Sequence, residues 1–177
     1  MKPGPLICLG LVLATHALAH RLDEYLQATR VAVSTNGIDL SIDLTPGVAV
    51  ADQVLASIDK NRDGQISQVE QVQYSEQFLK DLQLKVDEKV CALSLVDASF
   101  PSPFEIQSGV GVIRLKARAS GLLAEGKHSL SLTNAHLPSI SVYLVNALAP
   151  KDRAIQIARQ TRDELQKDYH LEFRIGH

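Results

Sequence analysis

Tryptophan is absent from this chain, and four tyrosines and four phenylalanines are all its aromatic residues. A surface that stacks sugars or bases needs more rings than that. An excess of either charge is also missing. Lys and Arg number 18 against 20 Asp and Glu, a formal net charge of −2, which excludes the basic face of a nucleic-acid binder. Cysteine is scarce, at Cys8 and Cys91 only, so no disulfide framework is expected. No low-complexity tract interrupts the chain, and with 45% hydrophobic and 21% charged residues wholesale disorder is excluded. At 177 residues there is enough chain for one ordinary domain with a real core.

The N-terminus, MKPGPLICLGLVLATHALA, reads as an export signal over residues 1–19. Lys2 supplies the positive end, Leu6 to Ala14 the apolar run, and Ala17-Leu18-Ala19 a small-residue cleavage site. The run is too short to span a bilayer, and no later stretch approaches the roughly 18 apolar residues that spanning needs. Cleavage after Ala19 removes Cys8 and leaves Cys91 alone, so an internal disulfide becomes impossible. Cys91 lies in the alternating run Val90-Cys91-Ala92-Leu93-Ser94-Leu95 and reads as a buried structural thiol. The expected product is a periplasmic or secreted chain over 20–177 with no transmembrane segment.

Strand patterns dominate that chain. Glu24 to Ser34 and Gly37 to Leu44 alternate around Asn36-Gly37, a hairpin cue because both residues tolerate positive φ. Further strands are expected at Leu84 to Val86, Val90 to Val96, Gly109 to Ala119 and His128 to Thr133. The segments Ile140 to Val145 (apolar enough for a central strand), Ala154 to Arg159 and Tyr169 to Ile175 continue the series. Pro101 and Pro103 mark a loop. Helical spacing occurs at Val50, Val54, Leu55 and Ile58, and again at Val69, Val72, Phe78, Leu79 and Leu82. Because no helix separates successive strands elsewhere, the pattern predicts a single mainly β domain. The predicted architecture is an antiparallel β-sandwich with a helix–loop–helix inserted after its second strand, an α+β arrangement.

The inserted loop is the segment with chemical content. Asp59, Asn61 and Asp63 alternate, Gly64 follows, and Ser67 and Glu70 close the segment. Oxygens at first, third and fifth places can converge on one point, and glycine at the sixth permits a sharp turn that a Cβ would obstruct. Gln65 would offer its backbone carbonyl, Ser67 an oxygen or a held water, and Glu70 two carboxylate oxygens. Such a set of hard ligands suits Ca²⁺ better than Mg²⁺. Ile66 is apolar, as an anchor for the loop should be. With its flanking helices the segment, about 50–82, resembles an EF-hand, which implies calcium binding by Asp59, Asn61, Asp63, Gln65, Ser67 and Glu70. The alternative is a helix–helix turn in which Asp and Asn cap without an ion. No second copy of the pattern exists, so a paired sensor that opens a groove is not expected; a structural or interaction role is.

His20-Arg21-Leu22-Asp23-Glu24-Tyr25-Leu26-Gln27, Asp43-Leu44-Thr45-Pro46-Gly47 and Val142-Tyr143-Leu144-Val145-Asn146-Ala147 widen the comparison. With the loop, they resemble bacterial exported domains found near or fused to nickel permeases of the hydrogenase–urease accessory type (HupE/UreJ). That resemblance implies a periplasmic accessory with a membrane permease or another periplasmic protein as partner. Permease helices are missing, so transport itself does not carry over. A different reading makes the chain a Cu or Ni accessory: cleavage after Ala19 would give His20 both an imidazole and a free α-amine, a chelate for a transition metal. His128, His136, His170 and His177 show no paired metal spacing. Without Gly-x-Ser-x-Gly, His-Glu-x-x-His or a phosphate-cradling glycine loop, no enzymatic activity and no catalytic residue are expected.

Overall fold

The computed structural model describes residues 23–176. The segment 1–19, where an export signal is expected, and His20 and His177 lie outside the described residues. The chain opens with a hairpin of β1 (Tyr25–Ser34) and β2 (Gly37–Pro46). Inward residues on β1 alternate from Tyr25 to Val33 and those on β2 from Ile38 to Leu44, the period of a strand with one buried face. The turn differs from the expectation. Ser34 pairs with Gly37, so Thr35-Asn36 is the two-residue loop, and neither is among the positive-φ residues. Gly37 itself has φ +146° and is the first residue of β2.

After a 3-10 turn at Val48–Val50 come α1 (Ala51–Ile58) and α2 (Gln68–Lys80), then β3 (Leu82–Val86), β4 (Lys89–Cys91) and β5 (Ser94–Ser99). The short α3 (Pro103–Gln107) precedes β6 (Ile113–Ser120), β7 (Gly126–Asn134), β8 (Ser141–Ala147), β9 (Ile155–Arg162) and β10 (Asp168–Ile175). Two five-stranded sheets result, ordered β5-β6-β2-β1-β8 and β4-β3-β7-β10-β9. Their inward residues form one hydrophobic cluster with those of α1 and α2, including Ile42, Leu84, Phe78, Leu130 and Phe173. The helix–loop–helix sits between β2 and β3, as the sequence predicts, and the fold is a mainly β sandwich of the α+β kind.

Several local expectations are corrected. Pairing is not wholly antiparallel: β8 runs parallel to β1, with Tyr25 opposite Ser141 and Val31 opposite Ala147. Nor is β8 central; it is the edge of its sheet, and Leu144 points outward. The run Val90 to Val96 is split, because β4 belongs to one sheet and β5 to the other, and Cys91 is half-buried rather than buried. Where prolines suggest only a loop, Ser102 caps α3 in a capping box with Glu105, and Pro103 occupies the first turn. Proline is tolerated there because that N–H has no intrahelical partner. On α2 the buried face is Glu70, Tyr74, Ser75, Phe78 and Leu79, whereas Val69 and Val72 are 64% and 39% exposed.

Candidate metal centre

The loop from Asp59 to Glu70 is built by its own side chains. Asp59 terminates α1, and its carboxylate turns back over the loop. Oδ1 accepts from the N–H groups of Arg62 at 2.6 Å and Asp63 at 3.3 Å, and Oδ2 from that of Gly64 at 2.9 Å. Asn61 Oδ1 accepts from the Asp63 N–H at 3.0 Å, and Asp63 Oδ1 from the Gln65 N–H at 2.9 Å. Short polar side chains that bond to the backbone two residues on are how Asp and Asn shape tight turns. Arg62 and Gly64 are both left-handed, at φ 61° and 78°. An added Cβ at Gly64 would meet nothing within 4 Å. Its requirement is therefore the backbone angle, not the space expected from the sequence.

The far end of the loop is tied to the near end by Glu70. Ser67 is the N-cap of α2 and Glu70 its third residue, and the two bond reciprocally in a capping box. Glu70 Oε2 accepts from Ser67 N–H at 3.0 Å and Ser67 Oγ at 2.7 Å, while Oε1 accepts from the N–H groups of Lys60 at 2.9 Å and Asn61 at 3.4 Å. The Ser67 hydroxyl and N–H, seconded by Asn61 and Lys60 and opposed by desolvation, hold this carboxyl below the usual carboxylate range. It is only 5% exposed, and no salt bridge to it occurs among the described residues. Ile66 is half-buried and packs on the core, anchoring the loop as expected.

The donor set is therefore all oxygen, with a buried carboxylate that lacks a cationic side-chain partner. That chemistry fits a hard divalent cation. Convergence is incomplete: no three His, Cys, Asp or Glu side chains among the described residues gather as a metal-holding group. The loop is instead closed on its own N–H donors, and Asn61 Nδ2 donates to Asp63 Oδ2 at 3.0 Å. Asn61, Asp63, Gln65 and Ser67 are exposed, Asp59 is half-buried and Glu70 is buried.

Sequence reasoning missed a second polar assembly beneath α2. Tyr25 and Tyr74 hydroxyls are 2.5 Å apart, Tyr74 is 3.0 Å from His136 Nε2, and His136 Nδ1 is 2.7 Å from Asp81 Oδ2. Its members come from β1, α2 and the β7–β8 connection, so no local spacing announces them. One signal was available: Tyr74 follows Glu70 by four residues, hence on the same helix face. His128 pairs instead with Asp87, at 2.7 Å, far along β7 from His136. His128 and His136 thus bond to different aspartates, Asp87 and Asp81. Compared with known proteins, the chain matches no protein-family model and no curated protein. No helix among the described residues is long and apolar enough to cross a membrane.

Proposed function

We propose that the chain is an exported calcium-binding domain with a single EF-hand-like loop, serving a structural or interaction role and no catalysis. The observation that carries this reading is Glu70, a buried carboxylate without a cationic partner, held by α2 against the N–H groups of Lys60 and Asn61. Asp59, Asn61, Asp63, the Gln65 carbonyl, Ser67 and Glu70 would hold the ion, which supplies a fixed charge that ties α1 to α2. Each Glu70 oxygen already takes two donors, so two-oxygen coordination requires it to release some of them. That cost supports weak binding, suited to the near-millimolar calcium outside cells. Export rests on the N-terminal segment, and a membrane permease as partner rests on the resemblance to permease-associated domains.

Thermal unfolding with and without calcium tests the site. At tenfold the dissociation constant, calcium should add about 1.4 kcal/mol, a Tm rise of roughly 3–5 °C for a domain of this size. Glu70→Gln should abolish the rise. It should also lower Tm in chelator, because an amide NH₂ cannot accept from the donors that the lost carboxylate oxygen served. An equal calcium-dependent rise in both proteins would remove Asp59 to Glu70 as the site.

A further inference from the structure

Between the loop and the sandwich lies a cleft of about 520 Å³ lined by Ser57, Lys60, Tyr74, Asp81 and His136 among others. The protons within it can be assigned. Asp81 Oδ2 can only accept, so the proton on that side is carried by His136 Nδ1. In neutral imidazole Nε2 is then an acceptor, Tyr74 O–H donates to it, and the Tyr74 oxygen accepts from Tyr25 O–H. The hydrogen-bond chain therefore runs in one direction, from β1 through α2 to the β7–β8 connection. All buried side-chain polar atoms among the described residues are satisfied in this arrangement.

Adding a proton to His136 Nε2 reverses one link. Nε2–H must now donate to the Tyr74 oxygen, and the Tyr74 proton must turn away, toward Tyr25 or toward Ser57 of α1, which lies beside that hydroxyl. Turning to Tyr25 leaves the Tyr25 proton without an acceptor; turning to Ser57, whose own hydroxyl donates to the Val54 carbonyl at 2.6 Å, puts a bond between α2 and α1. The new charge faces Tyr74 of α2, Asp81 at its C-cap and Tyr25 from β1, with Tyr143 of β8 bonded to the His136 main-chain carbonyl and the Phe78 ring 4.9 Å away. Only Asp81 neutralises it. Lys60, whose N–H holds Glu70, lines the same cleft as His136.

We propose that His136 is a proton-operated latch between the two helices of the calcium loop, and that its protonation lowers calcium affinity. The inference rests on the calcium reading of the loop and supplies its regulation. Reorientation of Tyr74 and repulsion of a cation act in the same sense. Burial of His136 lowers its pKa, and the bond and charge of Asp81 oppose that effect. By linkage, calcium must lower His136 proton affinity by the same factor. A drop from neutral to mildly acid pH, as in an acidifying extracellular space, would then release calcium.

Calorimetric calcium titration of the exported chain at about pH 7.5, 6.5 and 5.5 tests this, with His136→Gln and Asp81→Asn alongside. The natural protein should lose about fivefold or more in affinity across the range, and His136→Gln should show a flat profile. Asp81→Asn keeps the acceptor but not the charge, so it should move the midpoint to lower pH. The His136 ring resonance, followed by NMR without variants, should titrate at lower pH when calcium is present. Calcium binding at pH 7.5 with no pH dependence, a dependence that survives His136→Gln, or a His136 titration indifferent to calcium overturns the latch. No binding at pH 7.5 overturns the calcium reading instead.

Discussion

At Glu70 the carboxylate that the loop spacing assigns to a cation is also the third residue of the α2 capping box. The same Ser67-x-x-Glu70 spacing announces both duties, and a sequence pattern cannot say that all four acceptor directions are taken. Gly64 and Gly37 separate in a similar way. Gly64 was readable because the motif places it, although what it needs is its positive φ. Gly37 was readable as a turn residue, but its stricter duty depends on β6, far away in the chain. An ideal Cβ there would stand 2.4 Å from the Ala119 carbonyl oxygen, on a residue already at φ +146°. Gly37→Ala should therefore destabilise by at least about 2 kcal/mol, since backbone strain and a backbone clash add. Gly64→Ala meets open space and should cost only the strain. Urea unfolding of the two variants checks the order; equal losses would refute the close approach as the cause.

Among the elements, those with a complete alternation were legible in their buried face, although their ends lie one or two residues beyond the pattern. Tyr169, Leu171, Phe173 and Ile175 on β10 and Leu130 and Leu132 on β7 are buried as the period requires. Elements that end by changing sheet were not. Alternation continues from Cys91 through Leu93 to Leu95 while the hydrogen bonds pass from β3 to β6, because side-chain period reports a face and not a partner. In α2, apolar Val69 and Val72 lie outside while polar Glu70 and Ser75 are buried, so counting apolar residues alone put the helix face in the wrong place. The brief α3 was hidden behind prolines, yet Ser102-Pro103-Phe104-Glu105 is a complete N-terminal signal. Its cap holds buried Ile106 in the core. Ser102→Ala should cost about 1 kcal/mol, a Tm loss of roughly 2–4 °C. An unchanged Tm would show that buried Ile106 holds the turn without the cap.

On the scale of the whole molecule, the two sheets are joined by contacts between residues distant in sequence, and this is what local patterns could not supply. The parallel β1–β8 pairing, the β3–β7 pairing and both histidine–aspartate pairs depend on closures of tens of residues. The two histidines respond to acid in opposite senses. His128 places Nδ1 on Asp87 Oδ2 at 2.7 Å and Nε2 on the Ala124 carbonyl at 2.8 Å. Both partners there are acceptors, so the imidazolium satisfies both. Desolvation opposes that charge, but the Asp87 bond, the Ala124 bond and the Asp87 charge outweigh it and raise the pKa. Its stabilisation is thus complete below the unfolded value near pH 6.5 and is lost as pH rises through the higher folded value. His136 is lowered, by burial, so its contribution is complete above about pH 6.5 and is lost as pH falls through the lower folded value. In chelator, the urea midpoint of the natural protein should therefore peak near pH 6.5 and fall on both sides. The alkaline slope should be the shallower, because the Asp87 side chain is 46% exposed and water screens its pair. His128→Gln should remove the alkaline slope and His136→Gln the acid one, down to the range where carboxylates begin to protonate. If either variant keeps both slopes, the histidine concerned does not link protonation to folding, and the proton assignment made for it is wrong.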